Sequence, residues 1–251
     1  KQDFNKIIGL KILKIKRRSK YLLFFLSGDF LILVHLGMTG KFFILKKDNF
    51  KLKTSFYYQT ETLVNKHNRI QFLFNNKIRL IYNDVRKFGF IKVDKTAGLK
   101  LIKHINKLGP EPLSRNLNFN YFKRFINGKK RSIKELLMDQ KFISGIGNIY
   151  ANEILFRSKI KPNRSANKLK SREIMKLIYF TKKILKSAIN FGGSSIKNFS
   201  NTIGKTGNFQ QHFNVYAKKG NKCSNADCKG IIKKMVISGR ASFYCSICQK
   251  Y

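Results

Sequence analysis

The apolar positions change their period once along this chain, near residue 110. Before that point they fall in short runs. Leu10, Ile12 and Ile15 form a first strand candidate, followed by Tyr21–Leu26, Phe30–Leu36, Lys41–Leu45, Ser55–Gln59, Ile70–Phe74, Ile78–Tyr82 and Phe88–Val93. Ser27-Gly28-Asp29 and Asn75-Asn76-Lys77 punctuate two neighbouring pairs with turn chemistry, as hairpins do. Short strands at regular spacing predict an antiparallel sandwich or barrel.

Beyond Leu99–Leu108, itself a predicted helix, Gly109-Pro110-Glu111-Pro112 forms a linker and a domain boundary. A helical period then takes over. Ser132-Ile-Lys-Glu135 is a capping box that opens a short helix ending at Met138, the serine and the glutamate each answering the other's orphan amide. Asn148–Arg157 is a second helix, entered through Gly145-Ile-Gly147. Ser171 is expected to cap a long third one, with Ile174, Leu177, Ile178, Leu185, Ala188 and Ile189 on its apolar face and Gly192-Gly193 at its end. The polar, glycine-dotted stretch from there to Phe209 reads as a mobile loop. Within it, Gly204-Lys205-Thr206 lacks the earlier glycine of a phosphate-binding loop, because that position is Phe199.

All four cysteines lie in the last thirty residues, as Cys223-x4-Cys228 and Cys245-x2-Cys248. Between the pairs, Ile231-Ile232 and Met235–Ile237 read as a strand, Gly239-Arg240-Ala241 as a tight turn, and Ser242–Tyr244 as a returning strand. Two thiolate pairs facing each other across a hairpin supply the four soft ligands of a structural zinc site, so one Zn2+ on Cys223, Cys228, Cys245 and Cys248 is expected. Two disulfides or four free thiols are the competing readings. Arg240 stands at the tip of this hairpin or just after it.

Charge narrows the partner. Fifty-three Lys and Arg against 12 Asp and Glu give a formal +41. Such a surface binds a polyanion with salt-sensitive affinity, although part of the lysine excess fits the codon bias of an AT-rich genome. By itself the charge points to nucleic acid or an anionic membrane. No apolar run is long enough to span a bilayer, and cysteines reserved for metal fit a reducing cytoplasm. The helix entered at Gly145-Ile-Gly147 exposes backbone amides at its start, where a phosphate binds well, and Asn148 adds a side-chain donor. A glycine pair of this kind is, taken alone, more often just a turn.

Gly145-Ile-Gly-Asn-Ile-Tyr-Ala-Asn-Glu153, the four-cysteine ribbon with Arg240, and Gly192-Gly-Ser-Ser195 together resemble the bacterial formamidopyrimidine-DNA glycosylase family. Arg17-Arg-Ser-Lys-Tyr21, His35-Leu-Gly-Met-Thr-Gly40, Arg86-Lys-Phe-Gly89 and Leu108-Gly-Pro-Glu-Pro-Leu113 agree, in order, from about residue 10 to 250. The resemblance implies an α+β chain in three parts. These are a β-sandwich over 1–108, a helix–two-turn–helix domain over 109–209 and a zinc finger over 214–249. It also implies base-excision repair of double-stranded DNA carrying oxidised purines or abasic sites, by a monomer in a bacterial cytoplasm, at the nucleoid. Such enzymes rotate the damaged base out of the stack, form a Schiff base and cleave by β,δ-elimination. By position in the matching motifs, Lys20 is expected to transfer a proton near the deoxyribose and Arg240 to assist the second elimination. His67, Arg86, Lys129, Asn148 and Arg240 are expected on phosphates, which position the duplex without reading its sequence. Met38 matches the intercalating wedge; Arg86 and Phe88 match the pair that enters beside the orphaned base. Without the resemblance, Met38 and Phe88 read as core residues, His67 as a surface histidine and Lys20 as one solvated lysine among many.

Three departures qualify that expectation. The family's nucleophile is an N-terminal proline amine followed by a glutamate, whereas this chain opens Lys1-Gln-Asp. The segment carrying them is therefore expected upstream, and residues 1–251 alone are expected to bind lesion DNA without cutting it. Val85 and Lys87 stand where proline and arginine are usual. The Cys-x4-Cys knuckle is wider than the Cys-x2-Cys one. Alternatives are the endonuclease VIII branch, which prefers oxidised pyrimidines, a non-catalytic DNA-binding remnant, and a zinc-ribbon protein on RNA; His35-Leu-Gly-Met38 and Arg86-Lys-Phe-Gly89 favour the purine branch.

Overall fold

A computed structural model of the chain describes residues 4–45, 51–53, 64–97, 99–194 and 208–250. The strand expected over Ser55–Gln59, the residues Lys1-Gln-Asp, Ser195 and the Gly204-Lys205-Thr206 string lie outside the described residues, as does most of the loop expected before Phe209. The chain forms two compact units, Lys1–Asn106 with Phe191–Gln210, and Lys107–Asn190 with Gln211–Tyr251.

The first unit holds two four-stranded antiparallel sheets. One runs β1 (Ile12–Arg18), β2 (Tyr21–Leu26), β3 (Phe30–His35) and, across β3, β8 (Phe90–Lys95). The other has the order β5 (Lys51–Lys53), β4 (Lys41–Leu45), β7 (Arg79–Asn83), β6 (Asn68–Leu73). Phe24, Leu26, Ile32 and Val34 of the first sheet meet Phe42 and Tyr82 of the second, which makes the sandwich core. Leu23, Leu31 and Leu33 point to the opposite face, where Phe90 and Ile105 of α1 (Leu99–Asn106) cover them. Burial on both faces is why β2 and β3 read as unbroken apolar runs and not as alternating ones. Edge strand β1 is solvent-facing along almost its whole length. In the turn between β2 and β3, Gly28 and Asp29 both take positive φ, 66° and 60°. The predicted Phe88–Val93 strand begins two residues late, at Phe90, which leaves Phe88 in a loop.

The second unit contains α2 (Phe119–Ile126), α3 (Ile133–Met138), α4 (Asn148–Arg157), α5 (Ser171–Asn190) and the hairpin β9 (Ile232–Ile237) with β10 (Arg240–Cys245). The capping box at Ser132 and Glu135 forms as expected. Helix α2 was not foreseen; Asn118 caps it through the Tyr121 amide at 2.9 Å. The apolar face of α5 is made by Ile174, Leu177, Ile178, Thr181, Ile184 and Ala188, and Ser171 is its first helical residue. Ile189 is exposed and Leu185 only half-buried, so the sequence reading placed that face slightly off its true axis. Among the described residues no helix is long and apolar enough to cross a membrane.

Candidate nucleic-acid interface

In the helical unit the site grows from α4. Residues Ala151 to Phe156 of that helix are all buried, the mark of a central helix packed on every side. It packs on α5, α3 and strand β10. Its N-cap is Gly147, and no side chain caps it. The turn leading in is shaped by Gln140, whose Oε1 accepts from the Gly145 amide at 2.7 Å and whose Nε2 donates to Ile146 O at 3.0 Å. Gly145 has φ 91°, a conformation glycine adopts without a Cβ penalty.

The ribbon is fastened to these helices by buried polar side chains. Glu153, 1% exposed, accepts from the amides of Asn214, Val215 and Tyr216 at 2.9, 3.0 and 2.9 Å, where the chain enters the ribbon. Asn152 Oδ1 accepts from the Phe243 amide at 2.7 Å. Lys134, 1% exposed, donates from Nζ to Ala241 O at 2.9 Å and Ser242 Oγ at 2.6 Å. Asn148 Nδ2 donates to the same Ala241 carbonyl at 3.1 Å. Burial first, then the neighbouring Arg240 charge, lowers the Lys134 ammonium to about 8. Glu135 links the α3 cap to the hairpin tip, accepting from Ser132 and from Ser238 Oγ at 2.6 Å.

Ser238 and Gly239 both have positive φ, 46° and 71°, and form a two-residue hairpin turn. Arg240 is therefore the first residue of β10, just past the tip. Its guanidinium has no hydrogen-bond or ion-pair partner among the described residues. A cleft of about 380 Å³ opens between Arg131, Lys134 and Glu135 on one wall and Ser238 and Arg240 on the other. Arg131 is already paired with Asp139 at 3.0 Å. Lys129 sits in the turn after α2 with Nζ 4.9 Å from the Phe125 ring centroid, and its described contacts do not join it to Asn148 or Arg240.

The four cysteine sulfurs lie within 4.8 Å of one another. Cys223 and Cys248 are 3.7 Å apart, Cys228 and Cys245 3.6 Å. Four thiolates about 2.3 Å from one central ion stand roughly 3.8 Å apart, and a disulfide needs about 2.05 Å, so the spacing fits a tetrahedral metal and not two disulfides. Gly230 and Cys248 amides and Asn225 Nδ2 point N–H groups at the sulfurs, at 3.3, 3.4 and 3.1 Å. A Cβ on Gly230 would stand 2.6 Å from Cys245 Sγ, so that position is cut to the shape of the cluster. The wide first knuckle closes on the cluster as well as the narrow second one.

In the sandwich unit the candidate side chains gather at loop ends. Lys20 is exposed at the two-residue turn joining β1 to β2. Tyr21 beside it pairs in register with His35. Burial, and then the Lys20 charge, lowers the His35 imidazole below its ordinary value, and its Nδ1 accepts from the Gly37 amide at 3.1 Å. Met38 follows, 51% exposed, and Phe88 is 57% exposed, so neither is a core residue. Arg86 links them: its Nη1 lies 3.5 Å from Met38 Sδ and its guanidinium 4.4 Å from the Phe88 ring centroid. His67 ends a short 3-10 turn, and its carbonyl accepts from the Asp84 amide at 3.0 Å.

The sequence reading missed Asp84, and it used His35, Lys134, Asn152 and Glu153 only as letters in a motif. Burial of polar side chains identifies them here. No run of residue types announces a hydrogen bond between positions 107 residues apart, as Lys134 and Ala241 are.

Two family models match the chain. The formamidopyrimidine-DNA glycosylase N-terminal domain covers residues 1–91 and the formamidopyrimidine-DNA glycosylase H2TH domain residues 108–200. Formamidopyrimidine-DNA glycosylase of Bartonella tribocorum is 40% identical over 255 residues, spanning 98% of this chain and 85% of that protein. The Roseobacter denitrificans protein of the same name is 35% identical over 245 residues, with the same coverage. Among solved structures, the Lactococcus lactis Fpg complex with abasic-site DNA superposes with a TM-score of 0.82 at 34% identity, covering 98% of this chain and 85% of that one. The complex of the same bacterium's enzyme with Fapy-dG DNA gives 0.81 at 33% identity, with equal coverage.

Proposed function

This chain belongs to the formamidopyrimidine-DNA glycosylase family, and from that membership we propose that it recognises oxidised purines and abasic sites in double-stranded DNA as a base-excision repair glycosylase and abasic-site lyase. The observation that carries the reading is one carbonyl, Ala241 O, which receives both Lys134 and Asn148. That shared acceptor ties the main chain next to Arg240 to Asn148, the first residue of α4, while the Arg240 guanidinium has no hydrogen-bond or ion-pair partner among the described residues. A helix start and a guanidinium on a rigid hairpin are two complementary ways of holding phosphate oxygens.

The residue roles are those that the family resemblance implies. Arg240 and Asn148 grip the backbone, with Lys129 and His67 on further phosphates. Arg240 also steadies the phosphate that leaves in the second elimination. Lys20, exposed and beside His35, moves a proton at the deoxyribose. Met38 slips between base pairs into the space the extruded base leaves; Arg86 bonds the orphaned partner and Phe88 stacks against it. A flexible thioether and an aromatic ring held in solvent gain by burial in the stack, which offsets part of the few kcal/mol that unstacking costs. One zinc ion on Cys223, Cys228, Cys245 and Cys248 holds the fingertip and takes no part in bond cleavage. With DNA as substrate, the work lies at the nucleoid of a bacterial cell.

The test compares a duplex bearing 8-oxoguanine, its undamaged counterpart and RNA. Binding to the lesion duplex is expected to exceed both others. Borohydride is expected to trap a covalent adduct with the product of the whole open reading frame. Equal affinity for all three would overturn the reading in favour of a general polyanion binder. Lesion binding without any trapped adduct would favour a non-catalytic remnant.

A further inference from the structure

The side chains assigned to base extrusion stand on two loops, and one buried carboxylate joins those loops. Met38 and Thr39 lie between β3 and β4; Arg86 and Phe88 lie between β7 and β8. Asp84 is 1% exposed. Its Oδ1 accepts from Thr39 Oγ1, and its Oδ2 accepts from Tyr82 Oη at 3.1 Å and from the Gly89 amide at 2.9 Å. Thr39 Oγ1 in turn accepts from the Arg86 amide at 3.0 Å. The loop carrying Phe88 is thus held at both ends, at 86 through Thr39 and at 89 directly. Asp84's own backbone is closed by the His67 carbonyl and by Arg69 Nε, at 3.0 and 2.9 Å. The packing is tight: a Cβ on Gly89 would fall 2.0 Å from Tyr82 Oη, and one on Gly40 2.7 Å from it.

We propose that Asp84 is a positioning residue that locks the Met38 loop and the Arg86–Phe88 loop into one block, so that wedge, guanidinium and ring enter the duplex together. This rests on the extrusion roles assigned above. The physical reason is preorganisation. Three side chains on independent loops would each be ordered on binding, whereas a single block is ordered when the protein folds. A base that has left the stack returns unless its space is filled, and simultaneous entry fills it at once. A carboxylate suits the task because all its partners donate and its oxygens only accept. Asparagine has the same shape but turns an NH2 toward one set of those donors.

The experiment has two readouts on the full chain. In the free protein, the methyl resonance of 13C-labelled Met38 is compared between wild type and Asp84→Asn. It is expected to shift and broaden in the variant, while the signals of Met138 and Met175 stay in place. With DNA, 2-aminopurine opposite an abasic-site analogue reports unstacking. The fluorescence rise in Asp84→Asn is expected to correspond to an extrusion equilibrium about tenfold weaker, with affinity for intact duplex retained. Thr39→Val is expected to reproduce both effects and Thr39→Ser to restore them. If Asp84→Asn loses its cooperative melt, Thr39→Val is read in its place. A Met38 resonance unchanged in the folded variants overturns the lock, whatever the DNA shows. A full fluorescence rise in Met38→Ala removes the wedge assignment instead, and the free-protein spectra still decide whether the two loops are joined.

Discussion

The ribbon with its helices and the loop ends of the sandwich hold their working side chains in opposite ways. Around the ribbon, Lys134, Asn152 and Glu153 are buried and spend most of their hydrogen bonds on backbone, so Arg240 and Asn148 are carried by a fixed frame. At the sandwich rim, backbone and Asp84 are fixed, but Met38 and Phe88 themselves stand in solvent. On the proposed roles, the difference follows from what each must meet. A phosphate is always present on the duplex surface, so donors aimed in advance lose nothing by rigidity. A gap in the base stack exists only after extrusion, and the groups that fill it must wait outside.

Breaking the frame should have the largest effect. Cys245→Ser is expected to release the metal and unfold β9 and β10 at a cost of several kcal/mol, because a structural zinc can carry on the order of 10 kcal/mol of folding free energy. Zinc analysis together with amide exchange across β10 checks this. One bound equivalent and a protected hairpin would show that the frame does not depend on the ion. A smaller change comes from removing the group that the frame presents. Arg240→Ala should leave zinc content and melting intact while the slope of log affinity against log salt falls by about one unit. An unaltered slope would take Arg240 off the phosphate and leave the frame without a purpose. Smallest in stability is Met38→Ala, expected within about 0.5 kcal/mol of wild type because the residue is exposed. Binding to intact duplex should persist while 2-aminopurine unstacking falls. A marked loss of stability would mean that Met38 packs like a core residue, and the contrast between the two regions would collapse.

Much of the architecture was legible because it rests on local chemistry. The β2 and β3 runs, the Ser132 capping box, the Gly145-Ile-Gly147 entry to α4 and the cysteine spacing are all written within a few residues of where they act. Helix α2 was overlooked although its signal is present, since Asn118 is a favoured cap residue and Phe119, Phe122 and Ile126 recur at helical spacing. On α5, Thr181 is buried while Ile189 is exposed, since tertiary packing and not residue type decides which side faces inward. For the site, the resemblance supplied Met38, Arg86 and Phe88, but Asp84, which holds their loops, reads in the sequence as one acid among twelve. Its role depends on Thr39, 45 residues away, and becomes visible only when the two sheets are stacked.

Ala241 shows how such a joint can stay hidden. Its carbonyl oxygen has two lone pairs, and Lys134 and Asn148 take one each. The peptide plane is thereby frozen while the methyl group takes no part in the bonding. That methyl packs with Tyr216 against the ribbon core, so a mutational scan of side chains there would report on packing and leave unread the main-chain bond by which helix and ribbon are pinned.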